Sequence, residues 1–191
     1  RSTLFPYTTL FRSGRREHLI TGIAGKRDFL AVHVQKAHMS SKVGIVRRAL
    51  TVFEDYGVSV EHIPTGVDSF GIVVNGADVQ DSIYSIVHDL QKELKPDSIN
   101  VVDRLALISV VGRNMSRRAG TSGRVFGVLG EAGINIRMIT QSSQEISIIL
   151  GVNNADFERA ITCIYDKFVA GEMVEIPQQG EGQPTGARRA T

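Results

Sequence analysis

The chain has 191 residues, 42% hydrophobic and 22% charged, and its 22 basic and 20 acidic side chains leave a net charge of +2. That length holds one ordinary domain or two small ones, and the near balance of charge leaves no basic footprint for nucleic acid. No apolar run approaches the ~20 residues of a membrane-spanning helix, and a single cysteine, Cys163, excludes an internal disulfide and fits a reducing, cytoplasmic setting.

In chain order, Arg1–Ser13 (RSTLFPYTTLFRS) translate a common DNA-sequencing adapter codon for codon. They are expected to be a scar standing where native sequence has been lost, and are set aside before fold reasoning. Residues 14–26 read as a linker. Phe29–Gln35 alternates, with Leu30, Val32 and Val34 on one face, as a half-buried strand does. Gly44–Tyr56 places Val46, Ala49, Leu50, Phe53 and Tyr56 at helical spacing, and Gly57 stops it. Val58–Ile63 alternates again, Pro64, Gly66 and Asp68 supply turn chemistry, and Phe70–Asn75 is the next strand. Asp81–Leu94 carries Ile83, Ile86, Val87, Leu90 and Leu94 on one stripe, and Ser98–Asp103 closes the set as a strand.

The same order then recurs: Leu105–Val111, Gly120–Ala132, Ile134–Gln141, Glu145–Val152 and Ala155–Phe168, with Met173–Ile176 as the expected closing strand. Met39 and Met115, Gly44 and Gly120, Gly57 and Gly133, and Ile63 and Ile139 are all 76 positions apart. The ungapped offset extends to Ile72/Ile148 and Val74/Leu150, so the chain reads as a duplication. Each copy is β-α-β-β-α-β, the ferredoxin-like order. Gln178–Thr191 is Gly/Pro-rich with almost no large apolar residue, and is expected to be a mobile, disordered tail.

FEDYGVSVEHIPTGVDSF (Phe53–Phe70) resembles the first ACT repeat of aspartate kinases, and ITGIAGKRDFLAVHV just before it resembles their linker and first strand. GRVFGVLGEAGINIRMITQSSQEISIILGV (Gly123–Val152) is similar to their second repeat. The resemblance implies an α+β fold of two tandem ferredoxin-like ACT domains packed together, 27–103 and 104–177. It implies a regulatory region that binds an amino acid, lysine or possibly threonine, and mediates feedback inhibition of the first step of aspartate-family biosynthesis. It also implies a cytoplasmic homodimer formed through the ACT domains. The partner within the intact protein would be a kinase domain that uses ATP and Mg to phosphorylate aspartate. No phosphate-cradling glycine loop follows a strand here, so the chain is expected to be catalytically silent and without a cofactor of its own. The alternative is a stand-alone ACT subunit of another amino-acid biosynthetic enzyme.

In that family the effector sits where the first helix begins, beside the next strand. Carried over, this selects Met39, Ser41, Gly44, Ile45 and Val46 where the helix starts, Val60 and Glu61 on the strand, and Thr65 and Asp68 in the turn. Free N–H groups at a helix start suit a carboxylate, and Glu61 or Asp68 an ammonium group. Each also has a plainer reading: core packing for Met39, a simple turn for Gly44, a solvated face for Glu61, turn chemistry for Asp68. Met115, Gly120, Thr121, Ser122, Asn135, Ile136 and Gln141 form the secondary candidate, with Ser116 and Ser142 beside it. Asn135 and Arg137 stand there where the first copy has Ser59 and Glu61, so weaker binding is expected. His33 reads as a packed or edge histidine with no metal partners at ligand spacing, and Cys163 as a buried thiol. Gly123, Gly127, Gly130 and Gly133 fall within or at the end of a helix rather than on a dinucleotide-binding turn.

Overall fold

The computed structural model describes residues 7–10, 19–112, 115, 118–141 and 146–170. The closing strand expected at Met173–Ile176 and the tail at 178–191 lie outside them. Two long strands carry the architecture. β2 (Gly22–Gln35) and β5 (Ser98–Val111) have 14 residues each and run antiparallel, from Gly22 opposite Val111 to Gln35 opposite Ser98. Both break near the middle, where Asp28 (φ 67°) and Arg104 (φ 51°) take left-handed backbone and the register shifts. Such backbone costs an L-residue about 1–2 kcal/mol. At Asp28 it is held by a reciprocal pair: its N–H donates to Asn154 Oδ1 (3.2 Å), and Asn154 Nδ2 donates to Asp28 Oδ1 (2.7 Å).

Across that break each strand changes unit. In the first unit β3 (Val60–His62), β4 (Ser69–Asn75), the Phe29–Gln35 half of β2 and the opening of β5 lie in that order. In the second, β6 (Met138–Gln141), β7 (Ser147–Asn153), the Leu105–Val111 half of β5 and the opening of β2 repeat it. Each unit is therefore ferredoxin-like: the first is contiguous in sequence and closes with Ser98–Val102, whereas the second takes its fourth strand from Gly22–Lys26, the chain that precedes the first. The structure runs a strand through Gly22–Lys26, which the sequence pattern assigned to a linker, because two glycines and an alanine there give little strand signal. That segment takes the position that Met173–Ile176 was expected to fill. β1 (Tyr7–Leu10) pairs antiparallel with Gly22–Gly25 on its far side.

Helices α1 (Ile45–Asp55), the short α2 (Gly76–Val79) and α3 (Ile83–Leu94) belong to the first unit, α4 (Thr121–Glu131) and α5 (Phe157–Tyr165) to the second. A π-helical turn, Asp166–Ala170, extends α5. The 76-residue offset holds from Asp28/Arg104 through Gly57/Gly133 to His62/Met138, which lie opposite the equivalent residues Val73 and Gly151, but not in β4 and β7. Cross-strand register sets Ile72 opposite Val32 and Leu150 opposite Ile108, so Ile72 corresponds to Leu150 and not to Ile148. The second copy has two extra residues before β7. A two-residue insertion preserves the alternation of a strand, so apolar still fell opposite apolar and the gap was invisible in the pattern.

Val32, Val34, Ile72 and Val74 pack under the first unit's helices with Phe53, Ile86 and Leu90; Ala106, Ile108, Leu150 and Val152 pack under the second's with Val125, Leu129 and Ile164. A third cluster occupies the other sheet face and joins the units: Phe29, Ala31 and Val73 with Leu105 and Leu107, and Met138 against them. Among the described residues no helix is long and apolar enough to cross a membrane.

Gly25 makes the borrowed strand testable. A Cβ there would lie 2.5 Å from Phe157 Cε2 and 3.0 Å from the Leu107 carbonyl oxygen. Gly25→Val is therefore expected to lower unfolding free energy by about 1–3 kcal/mol through overpacking, read from a urea transition. An unchanged midpoint would mean the segment is a linker after all.

Candidate functional site

Where β2 ends, the chain turns through His38 (φ 58°) into a 3-10 turn, Met39–Ser41, and reaches α1 at Gly44 (φ 76°). Glycine suits that left-handed position and brings no capping side chain. No side chain caps α1, so the first-turn N–H groups face outward with the positive end of the helix dipole. Met39 is buried in the first core, Ile45 with it, and Val46 packs half-buried at its edge. Ser41 is exposed, and its hydroxyl donates to the His38 carbonyl (2.8 Å).

The turn between β3 and β4 lies against this loop. Gly66 N–H donates to the Ser69 carbonyl (2.7 Å), Gly71 N–H to the Pro64 carbonyl (2.8 Å), and Thr65 bridges Phe70. Asp68 then ties turn to loop twice: its carbonyl accepts from Lys36 N–H (2.9 Å), and its carboxylate from Met39 N–H (3.3 Å). The side chain that the sequence offered as an ammonium partner is thus also the latch that positions the start of the helix. Val60 packs half-buried on the first core, while Glu61 is exposed on the edge strand. The structure therefore brings Met39, Ser41, Gly44, Thr65 and Asp68 into one neighbourhood, with Glu61 on the strand beyond.

The second copy repeats the backbone, including a helix start without a side-chain cap, but its side chains there make bonds of their own. α4 starts at Gly120 (φ 81°), and Met115 and Thr121 are buried. Thr121 Oγ1 donates to the Arg118 carbonyl (2.8 Å), and Ser122 Oγ donates to Gln141 Oε1 on β6 (2.9 Å). The equivalent of Ser122 in the first copy is Val46, which makes no such bond. Asn135 is exposed and Ile136 packs on the second core. Ser116 and Ser142 lie outside the described residues. Cys163 is a half-buried free thiol on α5, and among the described residues no three His, Cys, Asp or Glu side chains gather as metal ligands.

His33 sits opposite Gly71, whose absent Cβ would lie 3.3 Å from its ring, and Arg137 approaches it from the other unit. Burial first, then Arg137, lowers its pKa; burial lowers that of His62, whose Nε2 has no partner among the described residues.

These features define a pair of ACT domains. Residues 108–168, in the second unit, match the family model described as an ACT domain. The chain is 34% identical over 156 residues to aspartokinase 3 of Bacillus subtilis, a match covering 81% of this chain and 34% of that protein. It superposes on Clostridium acetobutylicum aspartate kinase with a TM-score of 0.76 at 40% identity, covering 81% of this chain and 36% of that one. Against the crystallised aspartokinase alpha and beta subunits the TM-score is 0.67 at 27% identity, covering 78% of this chain and 98% of that one. The chain belongs to the ACT regulatory regions of the aspartate kinases, and spans about a third of the length of the Bacillus and Clostridium proteins.

Both histidines have folded-state pKa values below the ordinary one, so the fold favours their neutral forms. The unfolded chain takes up protons near pH 6.5, and stability present above that pH is lost as pH falls below it. Urea transitions between pH 7.5 and 5.5 are expected to show that loss, and the double variant His33→Gln/His62→Gln to flatten it. Equal losses in both proteins would clear the histidines of the effect.

Proposed function

We propose that this chain is the amino-acid-sensing end of an aspartate kinase, and that it mediates feedback inhibition by an amino acid bound at the start of α1. The observation that carries the reading is that helix start itself. Its N–H groups have no side-chain cap, the preceding loop is pinned by Asp68, and Glu61 stands exposed on the neighbouring edge strand. A carboxylate suits the helix end, and a carboxylate partner nearby suits an ammonium group. Lysine has two such groups to place and is the first ligand to try, with threonine next. The second copy, with Ser122 and Gln141 bonded to each other, is the weaker site.

Val43 and Val67, 95% and 77% exposed, flank the helix start, and β3 lies at the edge of the sheet. An apolar rim beside an unpaired strand suits a second copy of the chain, so the effector would sit at or near a homodimer contact. In the intact enzyme, binding would favour one dimer geometry and thereby a kinase domain held inactive. Such coupling takes about 1–3 kcal/mol, and a micromolar effector supplies about −8 kcal/mol. ATP and Mg would belong to that kinase domain. A region of this extent also occurs as a separate chain among the aspartokinase subunits, which keeps a regulatory-subunit arrangement as the second reading.

Calorimetric titration of the chain with lysine, then threonine, with mass followed in parallel, tests the proposal. Saturable heat that weakens about tenfold or more in Glu61→Ala is the expected result. No heat with any proteinogenic amino acid would rule out the sensing role for this chain.

A further inference from the structure

The outward face of α4 is a run of glycines. At helical spacing Gly123, Gly127 and Gly130 fall within an arc of about 60°. All three are exposed, on the side opposite the buried Val125 and Leu129. A Cβ on any of them would meet nothing within 4 Å. Glycine weakens a helix interior relative to alanine, so α4 carries three unfavourable residues that its own packing does not require.

The duplication provides a control. The equivalent positions on α1 hold Arg47, Thr51 and Glu54, and the helix forms there just as well. The fold therefore accepts side chains at these places. What a bare helix face does permit is the approach of another backbone, nearer than the ~8–10 Å between axes that side chains enforce.

The charges beside the stripe select that backbone. A groove of about 390 Å³ runs along one side of the glycines, between α4 and the π-helical turn, and Val128 and Phe168 line it. Arg124 and Lys167 border it as cations and Glu131 as an anion, and Arg124 lies over the Phe168 ring (5.2 Å to its centroid). Arg124 and Glu131 are two helical turns apart on the same side of the stripe, with Gly127 and Val128 midway between them. A second α4 laid antiparallel across the first, with a two-fold axis at Gly127, sets each copy's Glu131 against the other's Arg124. A parallel pair would set like charges side by side. The face is thus complementary to itself, as a two-fold contact requires.

We infer that the glycine face of α4 is a contact between copies of this chain, with α4 packed antiparallel on the α4 of a second copy. The face belongs to the second unit, at the far end of the sheet order from β3, and does not depend on the proposed effector.

The test is sedimentation of the full chain carrying Val67→Asp over a range of concentrations. Val67 is 77% exposed beside the β3 edge, so that substitution sets aside any contact there. A dimer is expected, with its dissociation constant raised about tenfold or more in Gly127→Leu and in Glu131→Lys and unchanged in Thr51→Leu. The urea midpoint of Gly127→Leu, read on the monomer, is expected to equal or exceed the parent's, because the added side chain meets nothing in the chain. A monomer at every concentration, or a dimer that neither variant weakens, would overturn the assignment. A lowered midpoint in Gly127→Leu would also overturn it, by giving the face to another segment of the same chain.

Discussion

The antiparallel pair of β2 and β5, broken at Asp28 and Arg104, is the constraint on which the rest depends. Each strand serves first in one unit and fourth in the other, and the second unit has a complete sheet only because the opening of β2 is laid into it. A repeat of this size buries only about 60% of its chain surface and is marginal alone. Running each strand from one unit into the other joins the two sheets into one and adds the Phe29–Leu105 cluster between the units. The same arrangement links the two units along single strands. The loop that Asp68 pins leaves directly from the end of β2, and the other end of that strand is laid into the second unit.

On this common frame the copies differ at the start of their first helix. Each copy uses a left-handed glycine and the same backbone route there. In the second, Ser122 and Gln141 satisfy each other, and Thr121 turns back on Arg118. In the first, Ile45 and Val46 stand in place of Thr121 and Ser122 and cannot make those bonds, and Arg47 and Arg48 fold back over the helix start. The two helix starts thus share an uncapped backbone and differ in the side chains around it.

Much of this was legible in the sequence. Alternation located the principal strands, helical spacing located α1, α3, α4 and α5, and Gly44, Gly57, Gly120 and Gly133 marked helix ends through a conformation other residues avoid. What escaped did so for identifiable reasons. Gly22–Lys26 lacks bulky alternation, because Gly25 must leave room for the Phe157 ring. The two-residue insertion before β7 matches the strand period and so leaves no trace. Asp68 reads as ordinary turn chemistry, since nothing local shows that Met39 N–H will meet it. The sequence around Lys36 gives no sign that the end of α3, about 60 residues away, will cover it.

The most direct test of the shared-strand account is whether the two units unfold together. Hydrogen exchange read amide by amide through a urea series separates the Val32/Ile72 core from the Ile108/Leu150 core. If β2 and β5 complete both sheets, the most protected amides of the two cores will exchange with the same free energy and the same urea dependence, as one cooperative unit. Two distinct free energies, with one core fully exchanging while the other stays protected, would show that each unit stands by itself and would contradict the account.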